Sequence, residues 1–198
     1  MNKKLVLKLY EIGAVKFGDF ALKSGMQSPI YIDLRLLVSH PELLKIVAKE
    51  MKRILDKLKY DRIAGIPYAA LPIATALSLA TDRPMIYTRK EQKDYGTKKM
   101  IEGGYKAGET AVVVDDLVTT AKSKFEAIEP LLAEGLVVKD IVVLIDREQG
   151  GREQLREKGY ELHACIHITK MLKFLLKQEQ IGKEKYDEVI AFLEKNKV

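Results

Sequence analysis

The chain has 198 residues, 47% hydrophobic and 31% charged, so it is long enough for one domain with a sizeable core and has an ordinary globular composition. Its formal net charge of +6 raises the question of nucleic acid, but the lysines are spread among glutamates and no arginine-rich stripe interleaved with aromatics is present. The single cysteine excludes a disulfide framework, and no apolar stretch has the length of a signal peptide or membrane span, so we expect a cytoplasmic protein that binds neither nucleic acid nor membranes.

The amino-terminal part is predicted to form a helix followed by a hairpin. Residues 1–14 mix leucines and lysines at helical spacing. Two short alternating segments, 17–22 and 30–34, then flank a polar turn at 23–29, which favours a β-hairpin outside the main fold. On composition alone, Lys23 in this turn is also explained as a solvated turn residue.

The chain then alternates between helices and buried strands. Ser39 to Glu42 has the S-x-x-E form of a capping box and predicts the start of a helix that continues from 43 to 59. Strands are predicted at 62–67, 84–88, 110–114, 139–145 and 160–168, and later helices at about 69–80, 121–134, 151–158 and two between 169 and 195. Strands that alternate with helices predict a mainly parallel α/β sheet with right-handed crossovers.

The segment 89–109 interrupts this alternation. It is longer than a usual connection, it is basic, and it contains four glycines, which favours a mobile functional loop. Its lysines at 90, 93, 98 and 99 would be able to close over an anionic ligand. The alternative is a solvated charged loop.

The most informative stretch is 110–124, TAVVVDDLVTTAKSK. Its first residues are small or β-branched and predict a strand buried on both faces, which Asp115 and Asp116 are expected to end. Thr119 and Thr120 open the next helix, whose unpaired N–H groups and partial positive charge would hold a phosphate. Two carboxylates would repel a phosphate unless the ligand brings hydroxyls or a divalent cation, as a sugar phosphate with a vicinal diol does. Plain turn chemistry is the open alternative for the acidic pair.

The remaining chemistry-bearing side chains are interpreted as structural. Cys165 lies in a strand-like apolar run and is predicted to be a core residue. His163 and His167 share one face of a predicted strand, with no third metal ligand nearby in the sequence.

Five stretches together resemble the orotate phosphoribosyltransferases of the type I phosphoribosyltransferase family: FALKSGMQSPIYIDLR, GIPYAALPIAT, RKEQKDYGTK, VVVDDLVTT and LIDREQGG. The resemblance covers roughly residues 10–175 and is most similar to the orotate domain of UMP synthases, with no decarboxylase domain expected. It implies a single domain over 1–198 with a mainly parallel central sheet flanked by helices, a small hood at about 1–35, a mobile catalytic loop, and carboxyl-terminal helices at about 169–198. The implied activity is pentosyl transfer from 5-phosphoribosyl 1-diphosphate (PRPP) to orotate in de novo UMP biosynthesis.

The resemblance also implies roles for the matching residues. Lys93, Asp115 and Asp116 would be catalytic, with Lys93 acting on the leaving diphosphate. The residues implied to bind PRPP are Lys23, Tyr68, Arg89, Lys90, Lys93, Tyr95, Asp115, Asp116, Thr119, Thr120, Ala121, Lys122 and Ser123. The residues implied to bind orotate are Lys23, Tyr31, Ile32, Thr119 and Arg147. Mg²⁺ is the expected cofactor, held mainly by PRPP without a direct protein ligand. A homodimer is expected, with the loop crossing to the neighbouring site.

The chain departs from the family pattern at two places. Ala121 and Lys122 stand where the phosphate turn usually has a glycine and a small residue, and alanine carries a steric cost of about 1 kcal/mol if the backbone there is left-handed. Ala69 stands where many members have a lysine that binds diphosphate. Two alternatives therefore remain: a PRPP-binding regulatory protein without turnover, and a phosphoribosyltransferase for another base.

Overall fold

The computed structural model describes residues 1–21, 25–89 and 100–198. Of the residues singled out in the sequence, Lys23, Lys90, Lys93 and Tyr95 lie outside the described residues, as do Lys98 and Lys99.

The described elements alternate much as the sequence predicts. The α-helices are α1 Lys3–Glu11, α2 Pro41–Leu55, α3 Ala70–Thr81, α4 Lys122–Ala133, α5 Gly151–Glu157, α6 Ile168–Lys177 and α7 Lys183–Lys195, and a 3₁₀ helix covers Leu34–Ser39. The strands are β1 Val15–Ala21, β2 Gln27–Ile32, β3 Arg62–Gly65, β4 Met85–Thr88, β5 Ile101–Glu102, β6 Thr110–Val118, β7 Val137–Asp146 and β8 Glu161–His167.

The central sheet has six strands in the order β5-β4-β3-β6-β7-β8, and β1 and β2 form a separate antiparallel hairpin. Within the central sheet only β5, which pairs with β4, is antiparallel, so the predicted mainly parallel α/β fold is confirmed. The chain leaves β3 towards β4 on one side and leaves β6 towards β7 on the other. The adjacent carboxyl ends of β3 and β6 therefore form a topological switch point, the place where open α/β sheets bind ligands.

Alternating side chains of β6 enter two separate hydrophobic clusters. Val112 and Val114 pack into the larger cluster, together with helices α1, α2, α3 and α6. Ala111 and Val113 pack into the other cluster, together with the buried face of α4. This alternation is why the apolar run of β6 reads as buried on both faces.

The prediction that the acidic pair ends β6 is wrong. The strand continues through Asp115 and Asp116 to Val118, because its parallel pairing with β7 extends to the Val118–Asp146 pair. Backbone hydrogen bonds to a neighbouring strand outweigh the low strand propensity of aspartate. As a result, both carboxylates have side-chain directions that are set by the sheet.

The predicted capping box at the start of α2 is also wrong. Helix α2 begins at Pro41 with His40 as the residue before it, and no side-chain cap hydrogen bond is made. Ser39 instead ends the preceding 3₁₀ helix. A proline at the first helical position has no N–H to satisfy and already has a helical φ, so this helix starts without the box.

The segment 89–109 contains a short strand that its composition did not predict. The Arg89 N–H donates to the carbonyl oxygen of Met100 at 2.8 Å, and β5 continues this pairing along β4. Gly103 then turns the chain with φ +101°, at a point where a Cβ would lie 2.9 Å from the Met85 carbonyl oxygen. In the described part of the chain, no helix combines the length and apolar character required to cross a membrane.

Candidate active site

The turns that follow β6 and β7 lie side by side at the carboxyl edge of the sheet. The Arg147 N–H donates to the Val118 carbonyl oxygen at 2.9 Å, and the Gly151 N–H donates to the Thr119 carbonyl oxygen at 3.1 Å. A Cβ on Gly151 would lie 2.6 Å from a Val118 methyl carbon, so glycine is required for this close approach. The DREQGG and VVVDDLVTT motifs, far apart in sequence, therefore meet here.

The turn between β6 and α4 has unstrained backbone geometry. Ala121 has φ −81° and ψ −5°, in the right-handed region, so the expected cost of an alanine in a left-handed conformation does not arise. The Ala121 side chain is fully buried, whereas Lys122 and Ser123 are exposed. Lys122 therefore leaves the turn open and adds a positive charge beside it.

An open concavity of about 570 Å³ lies over this turn. Its lining residues are Leu117, Thr119, Thr120, Lys122, Ser123, Lys124 and Glu126. The threonine and serine hydroxyls, the backbone N–H groups at the amino terminus of α4 and the Lys122 ammonium suit an anion of phosphate size.

The two carboxylates at the end of β6 have different environments. Asp115 is buried, with its Oδ2 2.7 Å from the Lys124 ammonium and its Oδ1 accepting the Asp116 N–H at 2.8 Å. Strand alternation directs Asp115 to the α4 face, where Val113 lies, and Asp116 to the opposite face with Val114. Asp116 is less buried, and its Oδ1 accepts the Leu117 N–H at 2.8 Å.

The pKa of Asp116 is raised from 3.8 to about 7, chiefly by desolvation and next by the neighbouring Asp115 charge. Both effects disfavour the charged form of a carboxyl group. A cation or sugar hydroxyls that face Asp116 would offset the cost of its ionisation. The site is therefore suited to a ligand that brings such groups.

Arg147 sits at the start of the β7–α5 turn with an unsatisfied donor. Its Nε is buried and has no hydrogen-bond partner among the described residues. Burial lowers the pKa of Arg147, and the adjacent Asp146 carboxylate is instead hydrogen-bonded by Arg152 at 3.2 Å. A buried guanidinium nitrogen that has no partner among the described residues fits an anionic ligand that would supply one.

A second concavity, of about 500 Å³, opens beside the phosphate-sized one. It is lined by Arg89 and Ser123, among others, so the structure brings these two predicted PRPP residues together. The Arg89 guanidinium lies 3.0 Å from Glu102 on β5. Tyr68 is exposed in the turn before α3, and Ala69 precedes that helix without a side-chain cap hydrogen bond.

The predicted orotate contacts of the hairpin lie on β2. Tyr31 packs against Phe20 with ring centroids 5.5 Å apart, and its hydroxyl accepts a hydrogen bond from Arg35 at 2.9 Å. Ile32 ends the strand. These contacts are within the amino-terminal region, so the predicted approach of Tyr31 and Ile32 to a pyrimidine ring stays a prediction.

Metal-ligating side chains do not cluster in the part of the chain that the structure describes: no group of three or more there could hold a metal ion. His163 contacts Asp140 at 2.8 Å, and the Nδ1 of His167 lies 3.6 Å from Glu148. The carboxyl oxygens of Asp116 suit Mg²⁺ chemically, but only as part of a larger ligand set.

Sequence reasoning missed two residues that shape this site. The Gln154 side-chain oxygen accepts the Ala121 N–H at 2.8 Å and joins α5 to the turn, and no sequence pattern pointed to it. The Lys124 ammonium is buried against the end of β6. Lys124 shares a helical face with Ala127, Ile128 and Leu131, so the apolar stripe of α4 was a usable signal that this lysine points inward.

Comparisons with known proteins agree, over the central part of the chain for a family model and over nearly the whole chain for individual proteins. The family model described as "Phosphoribosyl transferase domain" matches residues 36–171. An orotate phosphoribosyltransferase of Pyrobaculum aerophilum is 40% identical over 96% of this chain and 97% of its own length. A uridine 5′-monophosphate synthase of Bos taurus is 43% identical over 97% of this chain. The structure of the Leishmania donovani UMP synthase superposes with a TM-score of 0.90, at 44% identity over 98% of this chain. The chain spans about 40% of the length of these two synthases.

Proposed function

The chain belongs to the phosphoribosyltransferase family, and we propose that it transfers the phosphoribosyl group of PRPP to orotate, forming orotidine 5′-phosphate and diphosphate. The observation that carries this proposal is the pairing of two anion sites: the Arg147 side chain, whose buried Nε has no hydrogen-bond partner among the described residues, and the amino terminus of α4, which follows the neighbouring strand. A pyrimidine carboxylate and a sugar phosphate, joined in one product, match that pair.

The β6–α4 turn is proposed to hold the 5′-phosphate. Thr119, Thr120 and Ser123 offer hydroxyls, and the first turn of α4 offers backbone N–H groups that have no partner within the helix. Lys122 is exposed on the same rim and adds a positive charge. Asp116 would accept hydrogen bonds from the ribose hydroxyls. These hydrogen bonds would offset the free-energy cost of ionising this carboxyl group.

Arg147 is proposed to pair with the carboxylate of orotate. A guanidinium and a carboxylate form two parallel hydrogen bonds, a geometry that a lysine in the same place would not reproduce. The Arg147 backbone is fixed by its hydrogen bond to Val118, so the guanidinium starts from a position next to the phosphate turn. The predicted contacts of Thr119, Tyr31 and Ile32 with orotate belong to the same proposal.

The reaction is a displacement at the anomeric carbon of the ribose. The bond from that carbon to the diphosphate oxygen breaks with its electron pair, and a bond to the orotate ring nitrogen forms. That nitrogen is already ionisable, so its proton leaves to solvent without a strong protein base. The protein binds both substrates so that the orotate nitrogen and the leaving diphosphate oxygen are in line at the anomeric carbon. Its charged and polar groups face the charge that develops in the transition state.

The leaving diphosphate is proposed to be stabilised by cations. Arg89 lies beside Ser123 in the second concavity, and we propose that Lys23, Lys90, Lys93 and Tyr95, which are outside the described residues, complete this binding region, with Lys93 acting on the leaving group. Mg²⁺ would be carried mainly by the diphosphate oxygens of PRPP, where it would neutralise part of their charge.

The proposal extends to assembly and organisation. The chain would act as one domain and as a homodimer in which the basic loop reaches the neighbouring site. The cytoplasmic location and the place in de novo UMP synthesis are predictions of the same kind.

Purified protein incubated with PRPP, Mg²⁺ and orotate tests the proposed function. We expect orotate absorbance to fall while orotidine 5′-phosphate and diphosphate accumulate in equal amounts, identified by chromatography. PRPP binding without any loss of orotate would contradict catalysis and favour a regulatory protein. Turnover of another base in preference to orotate would favour the other alternative.

A further inference from the structure

Lys124 is a buried lysine that the proposed reaction does not use. Its side chain is only 3% exposed, although the residue is one of those that line the concavity above it. It is the third residue of α4, and it reaches back under the turn to the end of β6. A charged group so deeply buried requires partners for its donors.

The Lys124 ammonium has two hydrogen-bond acceptors and one ion-pair partner. The ammonium lies 2.7 Å from Asp115 Oδ2, 2.6 Å from the Leu117 carbonyl oxygen and 3.3 Å from the Ser123 hydroxyl. Two of these acceptors belong to β6 and one belongs to the first turn of α4. Lys124 therefore ties the strand to the helix across the turn that is proposed to hold the phosphate.

The Lys124–Asp115 pair also resolves the electrostatic problem posed by the acidic pair. Two ionised carboxylates next to a phosphate site would repel its ligand, and the repulsion is strong where water is excluded. The Asp115 side chain is 9% exposed and its charge is compensated at 2.7 Å. Asp116, on the other face of the strand, is left as the carboxylate of the pair that is available to ligand hydroxyls.

We infer that Lys124 is a positioning residue for the phosphoribosyl site, which holds and neutralises Asp115 so that PRPP binds without repulsion from a second carboxylate. This inference rests on the proposed function for the identity of its ligand. It departs from the resemblance, which implies that both acidic residues are catalytic and bind PRPP: here Asp115 acts as an internal counterion, and Asp116 is the ligand-facing group of the pair.

The test measures PRPP binding by calorimetry, with Mg²⁺ present and without orotate, on unmodified protein and on variants. For Lys124→Met we expect PRPP Kd to rise at least about tenfold, because an uncompensated carboxylate is left beside the phosphate. The KM of Lys124→Met for orotate, at saturating PRPP, should stay within about twofold of the unmodified value. The double variant Lys124→Met with Asp115→Asn removes both charges, and its PRPP Kd should return to within about threefold of the unmodified value.

Arg62→Met is the matched control. It breaks the Arg62–Glu109 ion pair, also 2.7 Å long and partly buried, at the opposite end of the same strands. We expect this variant to lose stability while its PRPP Kd stays unchanged. Melting curves of every variant separate loss of folding from loss of binding.

A PRPP Kd for Lys124→Met within about twofold of the unmodified protein would overturn the inference, and so would a double variant that binds no better than the single one. If Lys124→Met does not fold, the double variant is the deciding measurement, because it buries no unpaired charge. A PRPP Kd of the double variant more than about tenfold above that of the unmodified protein would then overturn the inference. Failure of the proposed function looks different, since PRPP would bind with the expected variant pattern while orotate is not consumed. Absence of PRPP binding by the unmodified protein would overturn both.

Discussion

Replacing Asp116 by asparagine should stabilise the folded protein at pH 8 much more than at pH 5. The pKa of this carboxyl is raised from 3.8 to about 7 by desolvation and by the Asp115 charge. Between these pH values the folded state binds a proton that the unfolded state releases, so the free energy of unfolding falls as pH rises through this window and the loss is complete above about pH 7. Asparagine carries no charge, so it escapes this loss.

The magnitude follows from the width of the window. A rise from 3.8 to about 7 corresponds to about 4 kcal/mol, at about 1.4 kcal/mol per pKa unit. About two thirds of the window lies above pH 5, so the stability advantage of Asp116→Asn should grow by about 2 to 3 kcal/mol between pH 5 and pH 8. The asparagine oxygen still accepts the Leu117 N–H, so this hydrogen bond is retained.

Urea denaturation followed by circular dichroism at both pH values measures this difference. Asp187→Asn, which changes an exposed carboxylate on α7, is the control and should show an advantage that varies by less than about 0.5 kcal/mol between the two pH values. An advantage of Asp116→Asn that is equal at pH 5 and pH 8, or a variant less stable than the unmodified protein at pH 8, would refute the reasoning about burial and charge.

Four further outcomes are expected. Arg147→Ala should raise the KM for orotate by roughly 10- to 100-fold with little change in the Kd for PRPP, because a charge-assisted hydrogen bond to orotate is lost. An equal rise in both constants would mean that the arginine has a structural role. Lys93→Ala should lower kcat by about 100-fold with PRPP Kd nearly intact, and an unchanged kcat would remove this role. Gly65→Ala should lower the free energy of unfolding by about 1 to 3 kcal/mol in urea, because its Cβ would lie 2.9 Å from the Ala74 Cβ; equal stability would show that α3 shifts freely. Partial burial raises the pKa of Cys165 to about 12, so this thiol should react with a disulfide reagent at pH 8 much more slowly in the folded than in the denatured protein, and equally rapid labelling of both would contradict the shielding of the thiol.

The main fold could be predicted because its signals are local and repeated. The β-branched run from Thr110 to Val114 and the apolar spacing of α4 each point to one element, and their alternation points to a parallel sheet. The break near Gly182 between α6 and α7 was equally visible, because glycine interrupts two strongly amphipathic segments.

The sequence predictions fail where the local structure depends on residues that are distant in sequence. Asp115 and Asp116 remain in β6 because this part of the strand pairs with β7. Local strand propensities do not take such pairing into account. The two-residue strand β5 is too short to have a pattern of its own and exists through its pairing with β4. His40 precedes α2 in place of a capping serine because Pro41 already fixes the first turn.

The candidate site was predicted residue by residue from the resemblance, and the structure adds how its parts are joined. Arg147 and the β6–α4 turn are brought together by backbone hydrogen bonds between strand ends. The inequality of the two carboxylates depends on strand alternation and on a lysine of the next helix, and the sequence indicated only the position of that lysine on an apolar face.

A crystal structure of the protein with orotidine 5′-phosphate tests the central claim most directly, since this one molecule carries both anions. We predict its phosphate at the turn from Thr119 to Ser123, its ribose hydroxyls towards Asp116, and its pyrimidine carboxylate on the Arg147 guanidinium. A phosphate bound away from that turn, or an Arg147 guanidinium that makes no contact with the pyrimidine carboxylate, would contradict the account.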